Sequence, residues 1–157
     1  MIKLNFKTGF CFLLLILAVQ PLVFSQTRAE ADRLLDQGYS LYNQGSYEKA
    51  ASALQQAGEA YRQLGDNLKY AEALGWTAES YRIIGNIEQT LEPYREAERL
   101  YREAGYGPTA DAYLGNLGVS LLALERYKEA EEALLQALES AKKNNNIQYQ
   151  AIWYGHL

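Results

Sequence analysis

Residues 111–150 read DAYLGNLGVSLLALERYKEAEEALLQALESAKKNNNIQYQ, and the fold is decided there. Leu114, Leu117, Leu121 and Leu122 recur at steps of three and four, which puts them on one face of a helix. Ala130, Leu134, Ala137 and Leu138 form a second stripe of the same period. Too few residues separate the stripes for anything but a tight turn, so the stretch predicts a helical hairpin.

The same pattern returns on shifting the chain by 40 residues, with units starting at Ala31, Ala71 and Asp111. Leu34, Leu74 and Leu114 coincide, as do Gly38, Ala78 and Gly118. Leu54, Tyr94 and Leu134 share a phase, and so do Ala57, Ala97 and Ala137. The small residues at 38, 78 and 118 let the two helices of a hairpin approach closely, with Tyr47, Ile87 and Tyr127 expected to fill the gap beside them. Gly45 and Gly85, with Glu125 as the exception, stop the first helix of each unit, because glycine takes the left-handed conformation of a helix end at little cost. Ser46 and Asn86 then read as N-caps, with Gln89 completing a box-like arrangement after Asn86. Two residues depart from the pattern. Thr90 stands where the other units have Ala50 and Ala130, and Pro93, read as helix interior, predicts a bend between Gln89 and Tyr94.

The small residue of the first helix, the turn glycine, the aromatic two residues later and the two alanines of the second helix resemble the tetratricopeptide repeat. The usual unit of that family has about 34 residues, so this chain is similar to its elongated variety. The extra residues are expected at the end of the second helix and the following loop, Gln63 to Tyr70 and Glu103 to Ala110. HEAT and armadillo repeats have a comparable length but do not account for the turn glycine and its aromatic. The resemblance implies an all-α superhelix, a solenoid of helix hairpins. Three repeats (31–70, 71–110 and 111–150) occupy 26–150, and 151–157 starts a fourth. Seven residues of an unfinished helix would not cover the third repeat, so the sequence reads as a fragment of a longer array whose uncapped edge invites self-association.

The N-terminus has the order of a secretory signal peptide, assigned to 1–25. Lys3 and Lys7 precede the apolar run Phe10 to Val19, and Val23-Phe24-Ser25 offers small residues at the cleavage positions. The run is about half of the roughly 20 residues that span a membrane; the alternative is an uncleaved anchor. Export to the periplasm, the cell surface or the medium is the expectation. The only Cys, Cys11, and the only Met both lie in this segment, so the chain beyond it has no disulfide framework and relies on packing.

Chemistry is sparse. With one His and one Cys there is no thiolate metal site, no Cys–His pair and no phosphate loop, so neither cofactor nor metal is expected and the chain reads as non-enzymatic. His156 reads as a helix residue near the chain end, and Glu129, Glu131 and Glu132 as a solvated helix face. The formal net charge of −4 disfavours nucleic acid and anionic membranes as partners. Tyr61 and Tyr101, at one phase, read as packing between units.

The resemblance implies that first helices line an inner surface that receives a protein or peptide. Carried over by phase, the binding candidates are Asp36, Tyr39 and Asn43, then Trp76, Glu79 and Ile83, then Asn116, Val119 and Ala123. Asn116 offers a donor and an acceptor to a bound backbone, and Tyr39 and Trp76 supply rigid aromatic area. The chain also resembles the N-terminal part of exported bacterial proteins that end in a CHAT domain, a caspase-like peptidase fold. That resemblance rests on Gln37-Gly38-Tyr39-Ser40-Leu41-Tyr42-Asn43-Gln44-Gly45 and the later Leu-Gly-Asn-Leu-Gly, and implies that catalytic residues would lie outside this sequence.

Overall fold

The computed structural model describes residues 28–157, so the signal-peptide reading of 1–25 concerns residues outside the described ones. Seven α-helices follow one another with no strand among the described residues. They are α1 (28–43), α2 (Tyr47–Gln63), α3 (Asn67–Ile83), α4 (Leu91–Glu103), α5 (Gly107–Ala123), α6 (Tyr127–Lys143) and α7 (Ile147–Tyr154). From α2 onward each packs on the next in sequence. No described helix is long and apolar enough to cross a membrane.

One device ends each helix from α1 to α6. Gly45, Gly65, Gly85 and Gly105 have positive φ, and so do Glu125 (60°) and Asn145 (52°). Beyond each, an amide reaches back five residues to a carbonyl of the last turn. Ser46 reaches Leu41, Asp66 Tyr61, Asn86 Tyr81, Tyr106 Tyr101, Arg126 Leu121 and Asn146 Ala141, at 2.8–3.0 Å. These closures satisfy carbonyls that a helix end leaves unpaired. Apart from the α3–α4 connection, which holds a 3-10 turn, links between helices are therefore three residues long, and the segments expected as loops, Gln63 to Tyr70 and Glu103 to Ala110, instead contain the first turns of α3 and α5. For the same reason the helices begin four residues before the unit starts drawn at 71, 111 and 151: sequence similarity becomes strong only once the helix is under way.

Capping differs from the expectation. Ser46 and Asn86 occupy N-cap positions without a side-chain capping bond. The side chains that cap are Asp66, accepting from the Lys69 amide at 3.0 Å, and Asn146, accepting from the Tyr149 amide at 3.1 Å. The Pro93 region departs from the expected bend inside a helix. A 3-10 turn spans Ile87–Thr90 and the α-helix starts only at Leu91. Pro93 thus falls in the first α-turn, where a missing N–H is tolerated. Buried Thr90 donates to the Ile87 carbonyl, with the Ser120 hydroxyl 2.8 Å away.

Two kinds of close approach hold the helices together. Within a hairpin, a Cβ on Gly38 would stand 2.6 Å from Leu54 Cγ, and one on Gly118 2.8 Å from Leu134 Cγ. The second-helix Leu therefore fills the space, and Tyr127, 61% exposed, does not. Between hairpins, Tyr113 of α5 presses on Gly75 of α3, and Trp153 of α7 presses on Gly115 of α5, with virtual Cβ contacts of 2.3 Å in each case. Leu35 and Ala73 share one buried cluster at the corresponding phase, with the knob smaller and the notch shallower. Trp153 is 2% exposed and packs with Leu138 and Ala141. The last helix, α7, starts at Ile147 and packs on α6, while Leu135, Ile152 and Tyr154 are exposed.

Candidate functional site

The first helices α1, α3 and α5 present two adjoining recesses. The first, about 300 Å³, is lined by Tyr39, Tyr42 and Asn43 of α1 and by Glu72 and Trp76 of α3. The second, about 190 Å³, is lined by Gly75, Trp76, Glu79, Tyr94, Tyr113 and Asn116. Trp76 belongs to both, so they form one groove across three first helices. Gly75 explains the convergence: without a side chain there, Tyr113 closes on α3 and brings Asn116, one turn further along α5, to the same wall.

Aromatic rings in the groove meet edge to face. Tyr39 and Trp76 have centroids 5.3 Å apart at 66°, and Tyr42 and Trp76 5.0 Å apart at 79°. Pairs of this kind contribute about 0.5–1.5 kcal/mol beyond burial and fix the side chains before any partner arrives. Trp76 keeps 37% of its surface exposed.

Carboxylates are held in place by hydrogen bonds. The Tyr39 hydroxyl donates to Glu72 Oε1 at 2.5 Å, while Lys69 Nζ takes Glu72 Oε2 at 2.8 Å. Arg82 donates from Nε and Nη2 to Glu79, and the Tyr94 hydroxyl donates to Glu79 Oε2 at 3.1 Å. The Arg82 bonds outweigh burial and hold the Glu79 carboxyl below its ordinary value. Burial first, and then the bonded Glu72, push the Tyr39 phenol up; burial and Glu79 do the same to Tyr94. Both phenols therefore remain neutral donors at physiological pH. No group of three or more metal-ligating side chains occurs among the described residues. The groove has shape, aromatic area and fixed polar atoms, which suit binding.

Residues 112–147 match the tetratricopeptide repeat family. The fold is a tetratricopeptide-repeat solenoid. The repeat protein is 30% identical over 127 residues to the tetratricopeptide repeat protein 19 homolog, mitochondrial, of Drosophila melanogaster, a match covering 73% of this chain and 34% of that relative. This chain thus spans about a third of the relative's length. Among solved structures it is similar to aspartyl phosphate phosphatase F from Bacillus subtilis, with TM-score 0.68 and 17% identity over 81% of this chain and 33% of that one. It is also similar to BtubC (BKLC) from P. vanneervenii, with TM-score 0.57 and 18% identity over 76% of this chain and 57% of that one. These structural likenesses concern the fold alone.

Of the residues the sequence singled out in the solenoid, Tyr39, Asn43 and Trp76 meet in the first recess, and Trp76, Glu79 and Asn116 in the second. Asp36 is exposed on α1 and lines neither. Ile83 and Ala123 are exposed outside both, and Val119 packs against the α6–α7 core. Sequence reasoning missed Tyr42, Glu72, Tyr94 and Tyr113. Tyr42 and Glu72 lie three or four residues from Tyr39 and Trp76 on the same helices, so a wider face would have included them. Tyr94 comes from α4, and no first-helix periodicity points to it.

Proposed function

We propose that this chain is a non-catalytic scaffold module that binds a segment of a protein partner along the groove of α1, α3 and α5. The observation that carries the reading is the continuity of the groove through Trp76, which gives an extended segment two successive recesses instead of one isolated pit. Fixed aromatic rings and the Asn43 and Asn116 amides suit a peptide, whose side chains seek apolar area and whose backbone seeks donors and acceptors. The tetratricopeptide match is in keeping with this, since such repeats commonly bind proteins.

The finer parts of the proposal rest on the sequence. The units are elongated, 40 residues each, and the N-terminal segment directs export. A second reading, favoured by the Gln37 to Gly45 stretch, makes the chain the recognition segment of an exported CHAT-domain protein. The partner would then be a regulator or substrate of that peptidase-like domain.

The test is the double variant Trp76→Ala, Asn116→Ala in the full chain. It is expected to lose a partner captured by the parent protein while keeping its far-ultraviolet circular dichroism. Unchanged capture would overturn the groove as the binding surface.

A further inference from the structure

The groove also carries a charge preference, and we propose that the Tyr39–Tyr42–Trp76 recess receives a basic side chain, lysine or arginine, from the bound segment. This rests on the groove reading above and adds the chemistry of the partner.

Three aromatic rings contributed by two helices wall the recess, and Glu72 is the one charged residue in its lining. In the adjoining recess the one charged lining residue is Glu79. Each carboxylate has a cation three residues along its own helix, Lys69 or Arg82, but neither cation lines a recess. A ligand entering the groove therefore meets aromatic rings and carboxylates. Ring faces carry the negative part of the aromatic quadrupole and attract a cation placed over them. Lysine and arginine also have long aliphatic stems that cover apolar surface while the charged head stays with polar groups. Trp76 supplies the surface for the stem, and Glu72, held by Tyr39 at Oε1 and shared with Lys69 at Oε2, supplies the anchor for the head. About 300 Å³ accommodates either side chain.

Other occupants fit less well. An acidic side chain would face Glu72 and the ring faces with like charge. A purely apolar one would cover the Glu72 oxygens and the Asn43 amide without replacing their water, which costs free energy.

The experiment selects binders to the full chain from a library of random linear peptides displayed on phage, then titrates a synthetic version of the best binder calorimetrically. Selected peptides are expected to share a lysine or arginine at one position. Replacing it by norleucine should weaken binding about tenfold, the scale of a partly desolvated cation–π contact. Glu72→Gln, which preserves the Tyr39 bond, and Trp76→Ala should each weaken the basic peptide while shrinking its advantage over the norleucine peptide. Trp76→Phe should restore part of it, and circular dichroism guards against loss of fold.

Selection of acidic or purely apolar peptides, or a norleucine replacement without effect, overturns the charge preference. If such peptides still lose affinity on Trp76→Ala, the groove reading survives and the basic side chain alone fails. If no selected peptide responds to Trp76→Ala or Asn116→Ala, both fail together.

Discussion

At the scale of single residues, the left-handed positions show most clearly what this fold demands of its sequence. Four of six are glycine, while Glu125 and Asn145 adopt the same conformation with a Cβ. That geometry costs a non-glycine residue about 1–2 kcal/mol, less for Asn, whose side chain bonds locally. Glu125→Gly should therefore stabilise the protein by about 1 kcal/mol, read as a higher urea midpoint with an unchanged slope. A fall in the midpoint would mean that the Glu125 side chain is worth more than the strain it carries. The glycines at 75 and 115 have a different task. They are notches for Tyr113 and Trp153, and it is steric room, not φ, that excludes a side chain there.

At the scale of the helix, the ends carry information that the apolar stripes do not. Ser46 and Asp66 look equivalent in sequence, since both follow a left-handed glycine and precede a helix. Only Asp66 accepts a capping bond, and it also pairs with Arg28 at 2.7 Å. Asp66→Ala is thus expected to cost about 1 kcal/mol, whereas Ser46→Ala should change stability by only a few tenths. Thermal unfolding of the two variants side by side decides the point; equal losses would show that Ser46 caps in solution. The 3-10 turn before α4 follows the same logic. Pro93 forces no kink in mid-helix, because the helix begins later than apolar periodicity suggests and the proline falls where its missing N–H does no harm.

At the scale of the molecule, local period and inter-helix geometry divide what sequence could and could not disclose. Helix existence, hairpin pairing and the small residues inside each hairpin were legible, because each depends on contacts a few residues to some tens of residues apart that repeat in phase. That Tyr39, Asn43, Trp76, Glu79 and Asn116 line the two recesses follows from the same phase, which puts them on one side of the first helices. Whether Tyr94 and Tyr113 reach that face depends on how deeply one hairpin seats on the next. The Gly75–Tyr113 notch sets that depth, and no single-helix pattern contains it. Asp36 shares the phase of Trp76 and Asn116 but is exposed and lines neither recess.

Binding of a partner in the groove of α1, α3 and α5, and not on α2 and α6, is tested most directly by nuclear magnetic resonance. Backbone amide shifts of the isotopically labelled full chain are mapped as a selected peptide is added. Groove binding predicts that the largest changes fall on Asn43, Trp76, Glu79 and Asn116 and their neighbours, with α2 and α6 essentially still. Changes concentrated on α2 or α6, with the Trp76 indole signal unmoved, would contradict it.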